Sequence, residues 1–167
     1  MQKQVEYSDA VRTKYPEQVV IAIAKDKDGR ANPVTLGWTM IASGKPLMMA
    51  IAVASKHYSV ECINHSRCFT VAFPSSGMAD AALFFGSRSG RDVDKFAEFD
   101  CKTEPAKEID SVLLTDAVAN FECTLEAQLP AGDHIIFVGR IVCSHVNTAG
   151  AKRLYTVGSG HKLGACS

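Results

Sequence analysis

Val19-Val20-Ile21-Ala22-Ile23-Ala24 runs into Lys25-Asp26-Lys27-Asp28-Gly29-Arg30 and then into Pro33-Val34-Thr35-Leu36-Gly37-Trp38-Thr39-Met40-Ile41. The first segment is short, apolar and rich in β-branched residues, the pattern of a strand buried on both faces. The second has Asp-Gly at its centre, the chemistry of a tight hairpin turn. In the third, Val34, Leu36 and Trp38 alternate with Thr35, Gly37 and Thr39, a period of two with one small, polar face. The three together predict a β-hairpin whose second arm has a small, polar face; that face has room for a planar ligand, and the alternative is a barrel strand with one wet face.

The same grammar continues outward. Ser43-Gly44-Lys45-Pro46 makes a turn, and Leu47 to Ala54 is a strand apolar on both faces. Ser55 to His65 changes to helical spacing, with Val60 and Ile63 on one side. Cys68 to Phe73 is a strand stopped by Pro74. Ser76 to Phe85 reads as a short helix of good helix formers. Ser87 to Asp92 is a loop, and Asp92 to Ala97 opens another short helix. Cys101 to Asp110 lacks a period and reads as a loop with some extended structure. Ala119 to Ala127 alternates as a strand, Pro130 to Asp133 turns, and His134 to Val146 is a long strand whose Gly139 marks a bulge or bend. Leu154 to Val157 is a last strand. Hairpins joined with a few short helices predict a mainly β, closed antiparallel barrel. With no repeat and no linker, residues 1–167 are expected to form a single domain.

Composition narrows the function classes. The 167 residues are 47% hydrophobic and 22% charged, ordinary for a globular chain. The 18 basic and 18 acidic side chains cancel, which leaves no footprint for nucleic acid and no polybasic segment for anionic lipid. No apolar run approaches the ~20 residues of a membrane span. Met1-Gln2-Lys3-Gln4 is polar, so no signal peptide is expected and a cytoplasmic location is. Cys62, Cys68, Cys101, Cys123, Cys143 and Cys166 form no CxxC pair. They are read as reduced thiols, and no metal site is expected from their spacing.

Two segments have the chemistry to bind an anion. Ser55-Lys56-His57-Tyr58-Ser59 lies where a buried strand hands over to a helix, whose first turn exposes unpaired N–H groups and a partial positive charge. Cations are unfavourable at such an end unless an anion sits among them, and a phosphate removes the conflict. The alternative is a solvated helix start capped by serine. Ser87-Arg88-Ser89-Gly90-Arg91-Asp92 is the second, with two hydroxyls, a flexible glycine and two guanidinium groups, followed by Lys95. Its alternative is an exposed polar loop. Neither is a Walker A sequence, and no GxGxxG is present. Gly132-Asp133-His134 enters the long strand, where His134 is the one candidate proton donor; a hydrogen-bonded turn histidine is the plainer reading. Trp38 is read as a core or interface residue before a stacking platform.

Taken in order, Asn32 to Thr39, Ser43 to Leu47, Lys56 to Ser59, Ser89 to Phe96 and Gly132 to His134 resemble the flavin-reductase-like family, and within it the flavoredoxin branch. The resemblance covers roughly residues 15–158. It implies an FMN-binding split β-barrel, antiparallel and Greek-key-like, working as a homodimer with FMN near the subunit interface. It implies that Val34, Thr35, Leu36, Gly37, Trp38, Thr39, Met40, Ile41 and Ala42 face the isoalloxazine ring. It implies that Ser55, Lys56, His57, Tyr58 and Ser59 take the phosphate, with Ser89, Gly90, Arg91, Lys95 and Phe96 near the phosphate or ribityl chain. Lys56 stands where many relatives carry arginine, a point charge in place of a fork.

The function expected from these readings is FMN-dependent electron transfer, either as a flavoredoxin-like carrier serving a redox partner protein or as an NAD(P)H-dependent flavin reductase. The alternatives are a flavin-binding module without turnover and a cysteine-based redox protein.

Overall fold

The computed structural model of the chain describes residues 1–166. A short helix, α1 (Tyr7–Val11), and a two-residue strand, β1 (Glu17–Gln18), precede the barrel strands β2 (Val20–Lys25), β3 (Ala31–Leu36), β4 (Thr39–Gly44) and β5 (Leu47–Ala54). Then follow α2 (Tyr58–Ser66), β6 (Cys68–Phe73), α3 (Ala79–Ser87) and α4 (Lys95–Glu98). The second half holds β7 (Thr103–Pro105), β8 (Val112–Leu114), β9 (Ala119–Ala131), β10 (His134–Val146), β11 (Leu154–Gly158) and β12 (Lys162–Ala165).

The main sheet is antiparallel and seven-stranded, in the order β3-β2-β6-β9-β10-β5-β4. Its two edge strands, β3 and β4, are joined by Gly37 and Trp38 alone. Three trans peptide steps reach no more than about 11 Å, so the two edges of the sheet must come together there. The Trp38 carbonyl accepts the Ala52 N–H at 2.9 Å, which ties the junction to β5. The sheet therefore curls into a barrel split along the β3–β4 seam. This corrects the expectation of one strand from Pro33 to Ile41: the chain changes edge at Gly37-Trp38 instead of running straight through.

β2 is buried on both faces because it separates two cores. Val20, Ala22 and Ala24 point into the barrel with Met49, Ile51, Phe69 and Phe137, and Cys62 and Ile63 of α2 plug the interior. Ile21 and Ile23 point outward against Ala82 and Phe85 of α3, with Leu114 and Leu154. Gly139 sits at a register shift between β9 and β10. A Cβ there would stand 2.6 Å from Phe69 Cζ and 2.7 Å from Cys123 Cβ, so the barrel packs against its backbone.

Other boundaries moved for local reasons. Pro130 and Ala131 extend β9, because their β10 partners Ile135 and His134 continue the ladder. α4 starts at Lys95, where the Asp94 side chain accepts the N–H groups of Phe96 and Ala97 at 3.1 Å each. β7 pairs with β8 inside the stretch read mostly as loop. Together, α1, β1 and β12 are elements that no hydrophobic period announced. The six cysteines are all free thiols.

Candidate functional site

α2 begins where β5 ends, and this junction faces the C-terminal end of α3 across a cleft of about 260 Å³. Lys56, His57, Tyr58 and Ser59 line one side; Gly86, Ser87, Arg88, Ser89 and Gly90 line the other; Asn32, Val34 and Lys95 complete it. Two lysines, an arginine, a histidine and four hydroxyls thus converge, and among the described residues no carboxylate lines the cleft. The two basic segments picked out in the sequence meet here.

Lys95 is only 3% exposed. Its Nζ donates to the carbonyl oxygens of Pro33 at 2.7 Å and Phe85 at 2.8 Å. No carboxylate offsets its charge, so burial pushes its pKa down to about 8. His57 Nδ1 is buried without a hydrogen-bond partner. Burial first, and then the charges of Lys56, Lys95 and His134, hold the imidazole below its ordinary pKa. An anion in the cleft would oppose each of these effects. Asn32 donates from Nδ2 to Ser59 Oγ at 2.9 Å. Its Oδ1 lies where a side chain on Gly90 would start: a Cβ at position 90 would be 2.0 Å from it.

Gly86 and Ser87 also line a larger neighbouring cavity of about 490 Å³. Thr35, Leu36, Gly37 and Trp38 form one wall, Ala82 and Leu83 of α3 another, and Lys14, Glu17 and His161 stand at the N- and C-terminal sides. The Thr35 hydroxyl donates to Ala82 O at 2.6 Å and that of Thr39 to Ala50 O at 3.0 Å. Those hydroxyls are spoken for by the backbone. β3 and β4, however, are edge strands, so their outward N–H and C=O groups lack a strand partner.

Several residues singled out from the sequence lie elsewhere. Ile41 and Ala42 are exposed on β4, outside both cavities, and Met40 and Thr39 line a neighbouring groove that shares Glu17, Gly37 and Trp38 with the larger cavity. Ser55 donates from its N–H (2.9 Å) and its hydroxyl (3.0 Å) to Asp133 O, pinning the β9–β10 turn to the cleft rim. Arg91 pairs with Glu61 and lies over the Tyr58 ring at 4.9 Å. Phe96 packs against Phe85, ring centroids 5.4 Å apart. His134 stacks on Trp38 at 4.5 Å, and its Nδ1 meets Asp133 Oδ1 at 2.7 Å. Arg88, read with Arg91 as an anion ligand, does line the cleft, as does Asn32 of the segment read for a planar ligand; Gly86 had no sequence signal. Lys14 and His161 had no sequence signal.

The sequence matches the family described as flavin reductase like domain over residues 11–163. It is 31% identical to an NADH-dependent FMN reductase of Streptomyces nodosus subsp. asukaensis, over 72% of this chain and 64% of that protein. It is 30% identical to the actinorhodin polyketide dimerase of Streptomyces coelicolor, over 84% of this chain and 76% of that protein. Among solved structures it is similar to a flavoredoxin from Methanosarcina acetivorans, with 28% identity, a TM-score of 0.78, and coverage of 89% of this chain and 76% of that one.

Proposed function

The chain belongs to the flavin reductase like family, and on that premise we propose that it is a single-domain FMN-binding electron-transfer protein with its flavin phosphate in the cationic cleft. The observation that carries this reading is the pairing of two neighbouring cavities that share Gly86 and Ser87 in their walls. A cleft of cations and hydroxyls, with no carboxylate among its lining residues, adjoins at Gly86-Ser87 a wider space walled by the β3 edge. FMN has that division, a dianionic end and a flat ring.

In this reading Lys56, Arg88 and the first amides of α2 hold the phosphate. His57 Nδ1 gains the partner it lacks. The edge backbone of Thr35 to Thr39 meets the polar rim of the ring. Bound there, the flavin supplies the hydride and single-electron chemistry. Lys95 tethers Pro33 of β3 to Phe85 of α3, which keeps the phosphate end and the ring end in register. NAD(P)H is the proposed donor if the protein is a reductase, a redox partner protein if it is a carrier. A cytoplasmic homodimer is part of the proposal. Met40 of β4 and Leu129 of β9 are each 60% exposed on the outer face of the sheet, an apolar patch suited to a second copy.

The test is a visible spectrum of the purified protein after FMN addition and desalting, followed by NADH or NADPH without oxygen. Retained flavin that bleaches indicates the reductase. Retained flavin that bleaches only with a chemical reductant indicates the carrier. A colourless protein overturns the flavin reading.

A further inference from the structure

Outside the cleft, Glu122 of β9 faces Cys143 and His145 of β10. One ligand atom from each, a carboxylate oxygen, Sγ and a ring nitrogen, lies within 4.8 Å of the others. The backbone builds this convergence. Cys143 and His145 are two residues apart on one strand and share a face. Glu122 is the register partner of Cys143, next to the shift between Ile141 and Cys143.

Glu122 is fully buried. Its carboxylate accepts the backbone N–H groups of Lys107 (3.0 Å), Glu108 (2.7 Å) and Ile109 (3.2 Å). His145 Nε2 stands 2.6 Å from Oε1. The amides orient the carboxylate and leave one approach to Oε1, the one the imidazole now fills. Cys143 and His145 are half-buried, so the cluster is reachable from solvent.

We propose that Glu122, Cys143 and His145 form a binding site for a zinc-class divalent cation. Thiolate, imidazole and carboxylate are the ligand types of zinc. Zinc bonds of ~2.0–2.3 Å put the donors of a tetrahedral site roughly 3.3–3.7 Å apart. The three donors reach that spacing by a small opening of the Nε2–Oε1 contact and a closing of the others. The cation enters the position between Nε2 and Oε1. The imidazole proton then resides on Nδ1, the Cys143 thiol proton leaves to solvent, and water holds the fourth position. The three amides of 107–109 remain on the carboxylate as its outer support. The cation then clamps β9, β10 and this loop together. The site is separate from the flavin cleft: none of its three residues lines that cleft, and Glu122 lies three strand spacings, roughly 14 Å, from Pro33 through the register pairs Glu122 with Thr70, Thr70 with Ile23 and Ile23 with Pro33.

The full-length protein is incubated with Zn2+, freed of excess metal and analysed for bound zinc, with thermal unfolding measured alongside. Wild type is expected to retain one zinc per chain and to unfold at a higher temperature with Zn2+ than with chelator. Cys143→Ser and His145→Gln are expected to lose both effects while keeping wild-type stability in chelator within a few degrees. No retained zinc in wild type overturns the proposal. So does zinc that both variants retain, because the other thiols would then be its ligands. Flavin binding, read from the visible spectrum, is expected to be the same in all three proteins.

Discussion

Lys95 Nζ donates to the carbonyl oxygen of Pro33 at 2.7 Å, which places a cation that is 3% exposed directly behind the β3 edge. With its pKa pushed down to about 8 by burial, this lysine makes flavin affinity depend on pH. In the folded protein it loses its proton between about pH 8 and 10.5, while in the unfolded chain it keeps it. Its contribution to folding stability therefore rises with pH across that window, because the buried charge disappears. Anion binding moves the opposite way. FMN affinity is expected to fall by up to about tenfold per pH unit above pH 8, and Lys95→Met is expected to bind more weakly with a flatter profile. Flavin fluorescence titrations on both sides of the window measure this.

Arg88 and Arg91 look equivalent in sequence and are separated by the fold. Arg88 lines the cleft, whereas Arg91 is half-exposed and paired with Glu61. Arg88→Ala is expected to weaken FMN roughly 10- to 100-fold, the value of a hydrogen bond to a charged group. Arg91→Ala is expected to cost under about fivefold, as for an exposed ion pair. Dissociation constants of the two variants decide it, and a larger loss for Arg91→Ala would count against this cleft.

Gly90→Ala places a Cβ 2.0 Å from Asn32 Oδ1. Either the 88–91 loop or the Asn32–Ser59 hydrogen bond must move. FMN affinity is expected to drop at least about tenfold, with a stability loss of about 1–3 kcal/mol. Pairing it with Asn32→Ser, which removes the clash, is expected to restore part of the stability. Denaturant unfolding and flavin titration read the two effects separately.

Gly139→Ala tests the barrel instead of the site. Its Cβ would meet Phe69 and Cys123 at 2.6–2.7 Å, with no flexible side-chain end to give way. A destabilisation of about 1–3 kcal/mol is expected, with FMN affinity unchanged under conditions where the variant is folded.

The hairpin of β2 and β3, the long strand β10 and the bulge at Gly139 were legible because burial imposes a period and turns have their own chemistry. The break at Gly37-Trp38 was not. Alternation continues across it in the letters, and only the sheet order shows that Leu36 and Thr39 belong to opposite edges. The site was half legible for the same reason. Lys56 and Ser89 announce a taste for anions, but the direction in which a loop side chain points is set by tertiary neighbours. Glu61 draws Arg91 away, Asp133 takes Ser55, and Pro33 and Phe85 hold Lys95. Three-residue strands such as β7 and β8 carry too few side chains to show a period at all.

In the proposed complex the cleft between Lys56 and Arg88 grips the flavin by its phosphate. Comparing the dissociation constants of FMN and riboflavin on the same protein tests it most directly. FMN is expected to bind at least about a hundredfold more tightly, the value of two charged hydrogen bonds to phosphate, and Arg88→Ala to narrow the gap. Equal affinity for the two flavins would contradict it.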